Sequence, residues 1–212
     1  MIDKTYKLYI FDLDGTLVDT QPDIARALQV VLQEARLPVP GLEEVSRAIG
    51  GGAKNAVHLL TGLVGEELEP HLARFTVAYE HMCCDNTRVY EGGEELLHRL
   101  KEKGARLAVV TMKYKPPTLK ILNAHGIDTL FDDIITFDDV DKRKPDPESL
   151  HKLCEKHGVS VEDTIVIGDT VTDIRYAQAA GADCCAVEYG YGNLKELLEL
   201  SPTYVINSFK DI

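Results

Sequence analysis

Two pairs of carboxylates stand in this chain at spacings that suit chemistry. The segment Phe11-Asp12-Leu13-Asp14-Gly15-Thr16 closes a short apolar run that begins at Leu8. Residues two apart in extended chain point to the same side, so Asp12 and Asp14 share a face. Much later, Ile165-Val166-Ile167-Gly168-Asp169 closes a second apolar run, and Asp173 follows across Thr170-Val171-Thr172. Open parallel sheets bind ligands beyond the carboxyl ends of their strands. The pattern therefore predicts four acids gathered on one sheet edge. Left uncompensated they would repel, and some would stay protonated. A hard divalent cation with oxygen ligands removes that conflict, and Mg2+ also suits phosphate-bearing ligands.

Two further residues fit the same edge. Thr111 ends the run Leu107 to Val110, where its hydroxyl could donate to a phosphate oxygen. Lys144, in Arg143-Lys144-Pro145-Asp146-Pro147, sits in a loop before a helical pattern. The two prolines hold it outside that helix, and its ammonium could reach the crevice. Plainer readings exist for each feature. Asp12 to Gly15 could be an acidic turn, Thr111 a structural residue and Lys144 a solvated charge. A calcium loop counted from Asp12 would use Thr16 at its fifth position, but Leu17 stands where the sixth position needs glycine.

The elements that would position these residues are visible in the hydrophobic pattern. Short apolar runs occur at Leu8 to Phe11, Leu107 to Val110, Ile134-Ile135, Ile165 to Ile167, Cys184 to Val187 and Tyr204 to Ile206. Between them lie helical spacings at Glu94 to Lys103, Thr118 to His125, Pro147 to His157, Thr172 to Ala180 and Leu194 to Leu200. Gly104, Gly126, Gly158 and Gly181 follow four of these as stop signals. Strand and helix in alternation predict an α/β fold, a doubly wound parallel sheet with a Rossmann-like core. About 80 residues separate Phe11 from Val89, far more than one crossover helix needs. Apolar residues recur there at helical spacing: Ile24, Ala27, Leu28 and Val31; Val45, Ala48 and Ile49; Leu68, Leu72, Phe75 and Tyr79. Residues 17–85 are thus expected to form a small all-helical cap inserted after the first strand, with 1–16 and 86–212 as the core.

Composition narrows the partners. A net charge of −12 opposes a nucleic-acid role, because phosphate backbones attract basic surfaces. It leaves room for a small phosphorylated metabolite met by a local cationic site. No apolar run is long enough for a membrane span, and Met1-Ile2-Asp3-Lys4 leads so quickly into a strand that no signal peptide fits. A cytoplasmic protein is expected. Cys83, Cys84, Cys154, Cys184 and Cys185 match neither a zinc ribbon nor a disulfide framework and read as reduced thiols.

Taken together and in order, Asp12-Leu13-Asp14-Gly15-Thr16, Thr111, Lys144 and Gly168-Asp169 with Asp173 resemble the haloacid-dehalogenase-like hydrolase superfamily. Within it, three segments are similar to the phosphoglycolate phosphatase group: Leu17 to Ile24 at the cap entry, Ile49-Gly50-Gly51-Gly52-Ala53 in the cap, and Glu188-Tyr189-Gly190-Tyr191-Gly192 late in the chain. The resemblance implies that Asp12 attacks phosphorus and that Asp14 protonates the leaving oxygen, then activates water. It further implies Mg2+ held by Asp12, the Asp14 carbonyl and Asp169, with Asp173 orienting Lys144 or a metal-bound water. Thr111 and Lys144 would stabilise the transferring phosphoryl group. Met112 departs from the family's usual Asn, and Gly168 stands where the related mutases tend to carry an acid, which favours hydrolysis.

The substrate expected from the resemblance is a small organic phosphate such as 2-phosphoglycolate. Thr16, Gly51 and Lys54 are candidate substrate contacts, with Arg47 and His58 as further cationic candidates in the cap. Exposed cap charges are the plain alternative, and the glycine run reads equally as a ligand approach or a turn. A sugar-phosphate mutase or inorganic pyrophosphatase on the same scaffold is the competing chemistry, and a non-catalytic binding protein the third reading.

Overall fold

The computed structural model describes residues 2–39, 41–49 and 52–212. Six strands form one sheet: β1 (Leu8–Phe11), β4 (Arg106–Val110), β5 (Asp133–Ile135), β6 (Thr164–Gly168), β7 (Asp183–Val187) and β8 (Tyr204–Ile206). Their order is β5-β4-β1-β6-β7-β8, with every pairing parallel. The strand order reverses between β1 and β6, so the β1/β6 boundary is the topological switch point of the sheet.

Side chains on the central strands alternate between two apolar layers, as a sheet covered on both faces requires. Tyr9, Phe11, Ile165 and Ile167 enter one layer with Leu96, Leu97 and Leu100 of α5 (Gly93–Glu102) and Ile121 and Leu122 of α6 (Lys115–Ala124). Leu8, Ile10 and Val166 enter the other. There they meet Leu150 and Leu153 of α7 (Glu148–His157), Ile174 and Ala177 of α8 (Val171–Ala180) and Leu197 of α9 (Leu194–Glu199). Cys184 and Cys185 divide between the two layers, and all five cysteines are free. Gly158 and Gly181 end α7 and α8 in the left-handed region.

Among the described residues, the long interval holds α1 (Gln21–Glu34), α2 (Leu42–Ile49), α3 (Gly52–Thr61) and α4 (Leu68–Met82). The chain enters them through β2 (Val18–Asp19) and returns through β3 (Arg88–Val89), which pair antiparallel. Asp23, fully buried in the first turn of α1, fastens the return. Its carboxylate accepts from the Asn86 and Thr87 amides, the Asn86 side chain and the Thr87 hydroxyl. Among the described residues, no helix is long and apolar enough to cross a membrane.

Candidate active site

Phe11 of β1 lies beside Ile167 of β6 in the ladder, and the Asp12 amide carries the pairing one step on by donating to the Ile167 carbonyl at 2.9 Å. The chain leaving both strands thus delivers Asp12 and Asp169 to one edge. Asp173 joins them from the first turn of α8, where it completes a capping box with Thr170. One oxygen from each of Asp12, Asp169 and Asp173 lies within 4.8 Å of the others. Lys144 reaches in from the loop before α7, its Nζ 2.6 Å from Asp12 Oδ1 and 2.6 Å from Asp173 Oδ1. All four residues are buried.

Three carboxylates against one ammonium leave two negative charges in a place with little water. Burial would lower the Lys144 pKa, but Asp12 and Asp173 outweigh it and hold the ammonium above its ordinary value. Burial first, then the Asp173 charge, pushes the Asp169 carboxyl up to about 7, against hydrogen bonds that favour its charged form. These are oxygen donors short of two positive charges, a set that fits a hard divalent cation.

Asp169 is held in one rotamer from several sides. Thr16 Oγ1 donates to its Oδ1 at 2.8 Å, and the Tyr191 amide donates to its Oδ2 at 2.8 Å. A Cβ on Gly190 would overlap the Asp169 side chain, and one on Gly168 would overlap Asp173. An acid at 168, the residue type that tends to stand there in the related mutases, has no space in this packing.

Asp14 stands at the front of the site. Its Oδ1 accepts from Thr20 Oγ1 at 2.6 Å and lies 2.8 Å from Lys113 Nζ. Lys113 also donates to the Tyr79 hydroxyl at 2.9 Å. Thr111 lies at the end of β4, and its Oγ1 accepts from the Lys113 amide at 3.2 Å, leaving its hydroxyl proton for a ligand. Asp12, Asp14, Thr111 and Lys144 all line a cleft between the sheet edge and the helical layer. Ile24, Gly52, Ala53, Ala56, Phe75 and Tyr79 wall its far side.

The expected substrate contacts fare differently. Thr16 is fully buried and its hydroxyl donates to Asp169, so here it holds an acid. Lys54 is exposed, pairs with Glu69 at 2.8 Å and lies outside the cleft wall, because its place on α3 directs it to solvent. His58 Nδ1 lies 2.8 Å from the Leu63 carbonyl and is likewise absent from the wall. Gly51, with Gly50 and the Arg47 side chain, lies outside the described residues; Gly52 lines the cleft, as does Met112.

Sequence reasoning missed three residues. Lys113 is the next cation after Thr111, a position that could have drawn notice. Tyr79 reads only as part of an apolar stripe. Tyr191 joins the acidic sheet edge to the helical layer: its hydroxyl accepts from the Thr20 and Gln21 amides at 2.7 and 2.8 Å and donates to Asp19 at 2.9 Å. The cap of α8 had a readable signal, Thr170 followed three residues later by Asp173.

Residues 9–187 match the haloacid dehalogenase-like hydrolase family, and with this order of strands and acids the chain belongs to that family. Curated relatives group it with the family's phosphatases. A phosphoglycolate phosphatase from Thiobacillus denitrificans is 35% identical over 97% of this chain and 93% of its own length. Another from Nitrosospira multiformis is 36% identical over 95% of this chain and 92% of its own. The crystal structure of a predicted phosphoglycolate phosphatase from Haemophilus somnus superposes with a TM-score of 0.91 at 31% identity, covering 99% of this chain and 97% of that one.

Proposed function

We propose that this phosphatase hydrolyses small phosphomonoesters, 2-phosphoglycolate foremost, through an aspartyl-phosphate formed on Asp12. The observation that carries the reading is the buried cluster in which Lys144 bridges Asp12 and Asp173 with Asp169 at its side. Mg2+ is the proposed cation, held by Asp12, Asp169 and the Asp14 backbone carbonyl; when bound it neutralises phosphate charge and orients the ester.

The chain's own residues supply the rest. Asp12 attacks phosphorus, and the Lys144 ammonium and Thr111 hydroxyl hold the equatorial oxygens as their charge grows. Asp14, at the mouth of the site, gives a proton to the leaving oxygen and afterwards takes one from the water that cleaves the acyl phosphate. Asp173 keeps Lys144 aimed by the 2.6 Å contact. Residues 17–85 act as a cap that closes the cleft and excludes bulk water. A cytoplasmic setting belongs to the same proposal, since five free thiols suit a reducing compartment.

The test is phosphate release from 2-phosphoglycolate, pyrophosphate and a panel of sugar phosphates in Mg2+, with Asp12→Asn beside the wild type. Release from 2-phosphoglycolate is expected to fall by roughly 10³-fold or more in the variant, while a cooperative melting transition is retained. A variant that turns over normally removes Asp12 from the mechanism, and a wild type faster on pyrophosphate changes the substrate.

A further inference from the structure

The cleft contains a cation that the phosphoryl chemistry leaves unused. Among the described residues, the charged groups of its lining are Asp12, Asp14, Lys113 and Lys144. Lys144 is committed between Asp12 and Asp173. Lys113 is the other cation among the described lining residues, and its side chain is only 7% exposed. A lysine so enclosed needs an anionic partner. Asp14 serves at 2.8 Å, while the Tyr79 ring and hydroxyl pack over the ammonium, with the centroid 4.5 Å away.

We propose that Lys113 determines specificity by binding a second anionic group on the substrate, a carboxylate one short carbon link from the phosphate ester. The proposal deepens the phosphatase reading and rests on it. Three features of the site support it. The Lys113 amide is tied to Thr111 Oγ1, so one short loop carries both the ammonium and the hydroxyl that meets the phosphate. The surrounding wall of Ile24, Ala53, Ala56 and Phe75 offers no competing charge and keeps the local dielectric low, which strengthens a charge-assisted hydrogen bond. The Tyr79 hydroxyl accepts from Lys113 and keeps its own proton, so it is a second donor to the same carboxylate. A substrate carboxylate that takes over Lys113 also draws it from Asp14, whose side chain is then left to the leaving group. Lys54, pointing to Glu69, has no part in this.

The experiment compares 2-phosphoglycolate with 2-hydroxyethyl phosphate, which replaces the carboxylate by a neutral alcohol. Wild-type enzyme is expected to prefer the carboxylated ester at least tenfold in kcat/KM. Lys113→Met should shrink that ratio by roughly 10- to 100-fold, the range of one charge-assisted hydrogen bond, chiefly through KM; Lys113→Arg should restore part of it. Equal losses on both esters would assign Lys113 to positioning Asp14 and overturn the proposal, as would a wild type without the preference. Binding needs no turnover, so calorimetric titration of 2-phosphoglycolate into Asp12→Asn and Asp12→Asn/Lys113→Met, both with Mg2+, reads Lys113 separately. At least tenfold weaker binding in the double variant is expected, and equal affinity overturns the assignment. Absence of phosphate release from either ester by the wild type marks failure of the phosphatase reading itself, while the titration still judges Lys113.

Discussion

Gly190 shows how tightly one acid is held. Its missing side chain is the space that Asp169 occupies, and the neighbouring Tyr191 amide fixes one of the carboxylate oxygens. Gly190→Ala is therefore expected to displace Asp169, lowering stability by about 1–3 kcal/mol and weakening Mg2+ binding. Thermal melts with and without Mg2+ check both effects, and an unchanged Mg2+ affinity would contradict the account. Single residues were legible where their meaning was local. Asp12, Asp14 and Asp169 each end an apolar run, so the sequence itself marks them. Lys113 and Tyr191 act through partners far away in the chain, Tyr79 and Thr20, and no spacing records such contacts. The position of Thr16 beside the acids looks the same in sequence whether its hydroxyl faces a ligand or a carboxylate, and in the fold it meets the Asp169 carboxylate.

Among elements, Asp132 is a useful probe because it locks the sheet edge to a helix. Its carboxylate meets Lys101 of α5, Arg106 of β4 and the Leu107 amide. Burial would raise its pKa, but the Leu107 amide, Lys101 and Arg106 prevail and hold it down to about 2. A depressed acid stabilises the fold above its unfolded value near 4, and that contribution fades as pH falls toward 2. Asp132→Asn should thus cost about 2 kcal/mol at pH 7, a difference constant down to roughly pH 5 and narrowing below 4. Urea unfolding from pH 7 to pH 3.5 measures it; a gap that widens toward acid would reverse the sign. The periodic elements, six strands and most helices, were readable from their apolar spacing. The β2/β3 pair was not, since strands of two residues have no period and exist through each other. Helix α3 stayed hidden because the glycines before it read as a turn, and a run of glycine carries no helical stripe.

At the scale of the whole molecule, the fold encloses more negative than positive charge at its edge, so its stability depends on what binds there. A ligand that binds only the folded state at 100 times its Kd adds about 2.7 kcal/mol. Mg2+ is expected to raise the melting temperature accordingly, EDTA to abolish both the gain and phosphate release, and sodium chloride of equal ionic strength to do neither. No shift with Mg2+ would leave the cluster without its proposed ion. The attachment of the helical layer has a different consequence. The chain crosses into and out of that layer side by side at β2 and β3, which defines a single pivot line. Under the proposed capping role, a swing about that line would keep Thr20, one residue beyond β2, with Asp14 and would part Tyr79 from Lys113. The cutting tools would then remain assembled with the door open, and only the fingers that feel the cargo would come together when it shuts.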